Sequence, residues 1–332
     1  MPSPRHRRLH LHIQNDPHTS PVFAVTPERF RAAAKRHIAL GRRLVVTYAD
    51  DPAGFAAGLR SAEVLIVGHL DVHDLAARAP KLRWVQSTNA GVEDVAPHLP
   101  PGIVLTNASG VHGPKGGEFA LAALLMLNHA VPHFVTRQRE RRWEQRFTST
   151  IAGRTVVIVG LGRLGEAVAR QARRVGLRVL GVRRQARPHR LAAAVYGPRQ
   201  LDRVLPKADF LVVTTPLTRE TRGLIGRREL DRLPPHAGVV NLGRGAVLDN
   251  DALAEKLARG ELAGAVLDVV DKEPLPADSP LWTTPNLIIT PHCAVDDGLQ
   301  YVPRCLEIFF DNLRRYLAAR PLRNRVEPAR GY

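Results

Sequence analysis

The sequence predicts an α/β protein made of two parallel-sheet domains with a cleft between them. Three observations carry this. Strand-like and helix-like patterns alternate through the first third of the chain. A glycine-rich turn sits between a strand and a helix near the middle. A second series of short apolar strand patterns follows it. A chain of 332 residues, 44% of them hydrophobic, can bury two ordinary cores.

In order, residues 9–13 read as a strand, 27–40 as a helix with Thr26 as its cap and Pro27 at its first position, and 44–48 as a strand. Residues 51–61 read as a helix, and 63–67, 82–86 and 103–106 as further strands. A loop, Gly110-Val111-His112-Gly113-Pro114, comes next; it is a candidate hinge, with His112 structural or at a rim. A long helix from about Gly117 follows, which Pro132 is expected to kink or end. Its apolar run, 119–127, falls short of the roughly 18 residues a membrane helix needs, so no membrane partner is expected.

Residues 155–159 form a β-branched run that reads as a buried strand, and Gly160, Gly162 and Gly165 then make G-x-G-x-x-G, enclosing Arg163 and Leu164. Residues 166–175 continue as a helix and 178–182 as the next strand. The first glycine permits the tight turn, the second lets a pyrophosphate reach the backbone, and the third lets helix and strand pack closely. The free amides and partial positive charge of the helix N-terminus suit the phosphates. This context predicts dinucleotide binding. Strand patterns at 210–214, 239–242, 265–269 and 287–290 complete the unit.

Both halves therefore read as Rossmann-like or flavodoxin-like sheets. The C-terminal helix, 298–317, repeats Val302, Cys305, Leu306, Phe309 and Leu313 at helical spacing and is expected to pack back on the first unit. The expected division is 1–113 with 297–332 as a discontinuous substrate domain, and 114–296 as the dinucleotide domain.

Composition bounds the partners. The formal charge of +17 comes from arginines spread over the whole chain, with no aromatic-interleaved basic patch, so small anionic ligands rather than nucleic acid are expected. The basic start, MPSPRHRRLHLHI, lacks a signal-peptide core, and two cysteines, Cys293 and Cys305, make no disulfide framework. A cytoplasmic setting is the expectation. The histidines lack metal-ligand spacing, and no metal is expected.

Three stretches each place polar residues just after a strand, where open α/β sheets bind ligands: Asn241 to Asp249 (NLGRGAVLD), Leu267 to Pro274 (LDVVDKEP), and Thr290-Pro291-His292. A guanidinium grips a carboxylate bidentately. A histidine exchanges a proton near neutral pH, and a carboxylate on its far nitrogen orients it and favours its protonated form.

At these residues the sequence resembles the D-isomer-specific 2-hydroxyacid dehydrogenases, a family that includes glyoxylate/hydroxypyruvate reductases and phosphoglycerate dehydrogenases. The likeness extends to VQSTNAGVEDV (85–95), the glycine fingerprint and TTPLTRETRGLIG (214–226). It implies Arg244, Glu273 and His292 as the catalytic triad. By the same resemblance the amides around Asn89, Ala90 and Gly91 anchor the substrate carboxylate together with Arg244, and Asp268 meets the nicotinamide carboxamide. Thr215 and Pro216 lie along the cofactor, with Leu242 and Gly243 near the nicotinamide. The implied substrate is a small 2-oxo or 2-hydroxy acid, and the implied assembly a homodimer through the cofactor domain, with the helix at 119–127 and its arginine-rich continuation as the interface. Glu273 argues against a formate dehydrogenase, whose family pattern lacks it. A dinucleotide-sensing, corepressor-like binding protein is the reading from another class.

Cofactor choice follows from one position. In NAD-using units an acid follows the second strand and bonds the ribose hydroxyls. Counting on from Gly165, that position is Arg183, with Arg184 after it and no carboxylate nearby. An acid would repel a 2′-phosphate and a guanidinium grips one, so NADP(H) is favoured, with NAD(H) possible, and reduction is the favoured direction.

Overall fold

In a computed structural model, which describes residues 7–327, the chain forms two compact units. One comprises the chain up to Val111 together with the stretch from Asp297 onward; the other is His112–Asp296. The basic start at 1–6 and the last residues, 328–332, assigned above to the substrate domain, lie outside the described residues.

The first unit runs β1 (Leu9–Gln14), α1 (Pro27–Arg36), α2 (Ile38–Gly41), β2 (Leu44–Ala49), α3 (Pro52–Leu59), β3 (Val64–Val67), α4 (Leu75–Arg78), β4 (Trp84–Ser87) and β5 (Val104–Thr106). The second runs α5 (Gly113–Asn128), α6 (Val131–Arg139), β6 (Thr155–Val159), α7 (Arg163–Arg174), β7 (Arg178–Val182), β8 (Ala194–Tyr196), α8 (Leu201–Val204), β9 (Phe210–Val213), α9 (Arg227–Leu230), β10 (Gly238–Asn241), α10 (Asn250–Ala258), β11 (Gly264–Leu267) and β12 (Leu287–Ile289). The chain then returns to the first unit as α11 (Tyr301–Leu317).

Both sheets are parallel throughout: β2-β1-β3-β4-β5 in the first unit and β12-β11-β10-β9-β6-β7-β8 in the second. The central strands are uninterrupted apolar runs because both faces are covered. Along β3, Val64 and Ile66 enter one core and Leu65 and Val67 the other. Along β6, Val156 and Ile158 alternate in the same way with Val157 and Val159. In α11 the apolar stripe buries Phe309 and Phe310 in the first unit's core, where Phe309 stacks on Trp84 at 5.3 Å between centroids.

The structure corrects four details. The helix expected over 27–40 breaks at His37, whose backbone leaves the helical region so that its ring can stack on Phe310 and pair with Glu307 at 2.9 Å. Pro132 does not end the long helix: left-handed Ala130 does, and Pro132 stands in the first turn of α6, bent 64° from α5. The strand β8 is absent from the sequence reading, since three half-buried residues at a sheet edge carry no apolar period. The run at 119–127 is core along one side only, with Phe119, Leu121, Leu125 and Met126 half-buried. Ala120, Ala123, Leu124 and Leu127 belong to the second unit's own core, and α5 starts earlier than expected, at Gly113, to lie against α7. Among the described residues no single helix is long and apolar enough to cross a membrane.

Candidate active site

The glycine turn closes β6 onto α7. Gly160 has φ +103, and a Cβ there would meet the Thr215 amide at 2.8 Å; a Cβ on Gly165 would overlap the Gly160 carbonyl. Gly162, by contrast, faces open space, with nothing within 4 Å of a Cβ. The helix begins at Arg163, earlier than the expected 166, so Arg163 and Leu164 supply its first exposed or half-exposed amides. A tight turn, a clear approach and an amide-bearing helix start are what a pyrophosphate requires.

Asp268, 1% exposed, follows β11. Its Oδ1 accepts hydrogen bonds from the Thr290 hydroxyl (2.7 Å) and from the amides of Cys293 (3.1 Å) and Ala294 (3.0 Å). Its Oδ2 is buried with no protein donor, as is the Thr215 hydroxyl. A buried carboxylate oxygen needs a donor, and the nicotinamide carboxamide offers one, so the residues present fit the cofactor. The loops after β9 and β10 meet closely: a Cβ on Gly243 would stand 2.6 Å from the Thr215 carbonyl, Pro216 caps the Thr218–Thr221 turn through its carbonyl, and the Leu242 side chain is core, so only its backbone remains for a ligand.

The carboxylate of Asp268 also shapes the histidine loop. His292 has φ +48, a conformation rare for a side-chain-bearing residue, and its amide is held by the carbonyls of Asp268 (2.8 Å) and Thr290 (3.0 Å). The ring Nδ1 is 2.5 Å from Glu273 Oε2, while Glu273 Oε1 accepts the Val270 amide at 3.0 Å. An ionised carboxylate only accepts, so Nδ1 carries the hydrogen and Nε2 is the nitrogen available for proton transfer. Arg244 follows β10 in a turn built by fully buried Asn241, which accepts from the Gly243 amide (3.0 Å) and donates to the Arg244 carbonyl (3.1 Å). The half-buried guanidinium donates to the Gly243 carbonyl at 2.9 Å.

Arg183 is the residue after β7, and its amide is fixed by the Tyr196 carbonyl of β8 at 3.0 Å. Arg184 beside it is exposed and within electrostatic reach of Glu220. Sequence spacing did not reveal this acid, which folding brings across from the loop after β9. Its own backbone amide and the Thr218 hydroxyl hold its carboxyl below the usual range, with a smaller contribution from Arg184.

In the first unit, Asn89, Ala90 and Gly91 form the turn after β4. The carbonyls of Thr88, Asn89 and Ala90 are occupied, and among the described residues the amides of Ala90 and Gly91 have no internal acceptor. Two successive unpaired amides are a donor pair of the kind that suits an anion.

Cys293, expected to be a small hydrophobe in the site wall, is exposed, yet its surroundings disfavour the thiolate. Partial burial, then the charges of Asp268 and Asp296, push its thiol up. The thiolate is the nucleophile, so alkylation by iodoacetamide at neutral pH is expected to run slower than for an unfolded control peptide; a faster rate would contradict this reading.

Sequence and structure comparisons place these features in context. A profile of the D-isomer specific 2-hydroxyacid dehydrogenase, NAD binding domain, matches residues 121–294. Glyoxylate/hydroxypyruvate reductase B of Pectobacterium carotovorum is 34% identical over 282 residues, 82% of this chain and 86% of that one. A D-isomer specific 2-hydroxyacid dehydrogenase from Xanthobacter autotrophicus Py2, in complex with NADPH and MES, aligns with TM-score 0.82 at 30% identity, covering 97% of this chain and 99% of that one. The NADPH-dependent glyoxylate/hydroxypyruvate reductase of Sinorhizobium meliloti, in complex with NADP and sulfate, aligns with TM-score 0.81 at 27% identity over 98% and 100% of the two chains.

Proposed function

The chain belongs to the D-isomer specific 2-hydroxyacid dehydrogenase family of NAD(P)-dependent oxidoreductases, and we propose that within it the protein is an NADPH-dependent reductase of small 2-oxo acids of the glyoxylate and hydroxypyruvate class. The observation that carries the reading is the His292–Glu273 pair, oriented through Nδ1 by the same loop in which Asp268 keeps an unpartnered buried oxygen.

The residues that would hold the dinucleotide are Gly160, Gly162, Arg163, Leu164 and Gly165 at the pyrophosphate, Arg183 and Arg184 at the 2′-phosphate, and Thr215, Pro216, Leu242, Gly243 and Asp268 toward the nicotinamide. When bound, the reduced cofactor supplies the hydride that C2 of the 2-oxo acid accepts. The Ala90 and Gly91 amides receive the substrate carboxylate, and Arg244 grips it and polarises the keto oxygen. His292 delivers a proton from Nε2 to that oxygen, so the carbonyl gains one hydride and one proton and becomes a hydroxyl. Glu273 balances the imidazolium and keeps the ring aimed. In oxidation His292 takes the proton back. A panel of 2-oxo acids assayed with NADPH and with NADH tests the reading. Turnover of glyoxylate or hydroxypyruvate to the D-hydroxy acid where chiral, faster with NADPH, is the expected result. Absence of turnover of every 2-oxo acid would favour a dinucleotide-sensing protein instead.

The assembly we propose is a homodimer built on the arm that follows α6. Residues 141–150 are exposed along their length, with Trp143 96% and Phe147 89% exposed. The arm is nonetheless tied down, Glu144 pairing with His133 (3.0 Å) and Arg137 (2.9 Å) and the Ser149 carbonyl accepting from Asn128 (2.8 Å). Fixed, solvent-facing aromatics suit burial against a twofold-related copy. Light scattering is expected to give about twice the chain mass of 36.5 kDa, and Trp143→Ser with Phe147→Ser to lower it; a monomeric wild type would refute this.

A further inference from the structure

We propose that Asn107 and Tyr301, which lie outside the carboxylate-binding turn, are positioning residues: Asn107 aims the Gly91 amide donor directly, and Tyr301 fixes the preceding Thr88–Asn89 plane from which the turn departs. The inference rests on the reading of Ala90 and Gly91 as the carboxylate site. A trans peptide is planar, so fixing one carbonyl fixes the direction of the N–H on the same plane. Three successive planes of this turn are held that way. The Thr88 carbonyl accepts from the Tyr301 hydroxyl at 2.9 Å and the Cys305 thiol at 3.4 Å, both on α11. The Asn89 carbonyl accepts from the Ala108 amide at 2.9 Å, which sets the Ala90 N–H. The Ala90 carbonyl accepts from Asn107 Nδ2 at 2.8 Å, which sets the Gly91 N–H.

Each anchor is itself braced. Tyr301, 4% exposed, has its ring edge-on to Phe23 at 4.9 Å. Asn107 Oδ1 accepts the Ser109 amide at 3.1 Å, and Asn324 Nδ2 donates to the carbonyls of Asn107 (3.3 Å) and Ser109 (2.8 Å). From within the turn, the Ser87 hydroxyl accepts the Asn89 amide at 3.0 Å and Asn89 Nδ2 donates to the Gly68 carbonyl at 2.8 Å. The donors that point outward are those of Ala90 and Gly91, in an orientation set before any substrate arrives. Pre-set donors bind an anion without reorganising, so the anchors act on substrate affinity.

The test compares steady-state kinetics of wild type, Tyr301→Phe, Asn107→Ala and Asn107→Asp with glyoxylate and NADPH. Asn107→Asp retains the acceptor for Ser109 and loses the donor to Ala90 but also adds a negative charge beside the anion site, so the uncharged Asn107→Ala carries the comparison. The expected result is a KM for glyoxylate raised about threefold in Tyr301→Phe and about tenfold in both Asn107 variants, the scale of a lost hydrogen bond. kcat and the KM for NADPH should stay within about twofold, and the inhibition constant for oxalate should rise in parallel with the glyoxylate KM. A lowered melting temperature with unchanged KM and oxalate inhibition would mean the residues only support the fold, and would overturn the proposal. Ala90→Pro and Gly91→Pro, each deleting one amide donor, separate the two levels. If they raise the glyoxylate KM while the Tyr301 and Asn107 variants do not, the anchoring role alone is wrong. If folded proline variants leave KM unchanged, the carboxylate reading itself has failed.

Discussion

His292→Ala is expected to lower kcat/KM for the 2-oxo acid by about 10²-fold or more, the usual scale for a general acid. The imidazole is held in a defined orientation: Nδ1 is committed to Glu273 at 2.5 Å, and the backbone is held in a left-handed conformation, its amide donating to carbonyls at 2.8 and 3.0 Å. Removing the ring leaves the keto oxygen to water while leaving the dinucleotide contacts in place, so cofactor binding should persist. Glu273 works through the histidine. Glu273→Gln should therefore lower turnover by less, and combined with His292→Ala it should add little further loss, the non-additivity expected of groups that act as a unit. Arg244→Ala is expected to cost about 10²-fold as well, divided between KM and kcat if, as proposed, the guanidinium serves both carboxylate and keto oxygen. Steady-state kinetics with cofactor-binding fluorescence checks all four variants. Near wild-type turnover by His292→Ala would remove the acid from the mechanism.

Arg183→Asp is expected to reverse the cofactor preference. A charge-assisted hydrogen bond contributes about 1.5–3 kcal/mol, and each 1.4 kcal/mol is about tenfold. The wild type should thus favour NADPH over NADH by about tenfold or more in kcat/KM, and the variant should favour NADH. Arg183 carries more of this than Arg184, because β8 fixes its backbone at 3.0 Å whereas Arg184 is exposed and shares its field with Glu220. Arg184→Ala should accordingly have the smaller effect, and Glu220→Gln should sharpen the preference for NADPH by removing a negative charge from the neighbourhood. A wild type that prefers NADH, or an Arg183→Asp enzyme whose preference does not move, would defeat the assignment.

Sequence alone determined what depends on local chemistry and short spacing. Parallel strands buried on both faces read as apolar runs, so β3, β6, β9, β10 and β11 were visible without any contact being known. The turn at Gly160 to Gly165 was equally legible, because Gly160 has positive φ and a side chain on Gly165 would overlap the Gly160 carbonyl. The stretches that carry Arg244, Glu273 and His292 stood out because each places polar residues after a strand, while the role of Asp268 came from the family resemblance alone.

Tertiary structure decided what depends on partners distant in the chain. Helix propensity ran through His37 until the Glu307 and Phe310 side chains on α11 drew its ring out of the helix. The apolar run on α5 is split by its own sheet, which buries Ala120, Ala123, Leu124 and Leu127 and leaves Phe119, Leu121, Leu125 and Met126 half-buried, beside the exposed aromatics of the following arm. The oxygen of Asp268 that lacks a donor, the acid that faces Arg184, and the clamp on the Thr88 to Ala90 carbonyls are likewise invisible in the chain. A hydrogen bond between residues 88 and 301 leaves no periodic signal; only the packing of α11 onto the sheet brings the two atoms within reach.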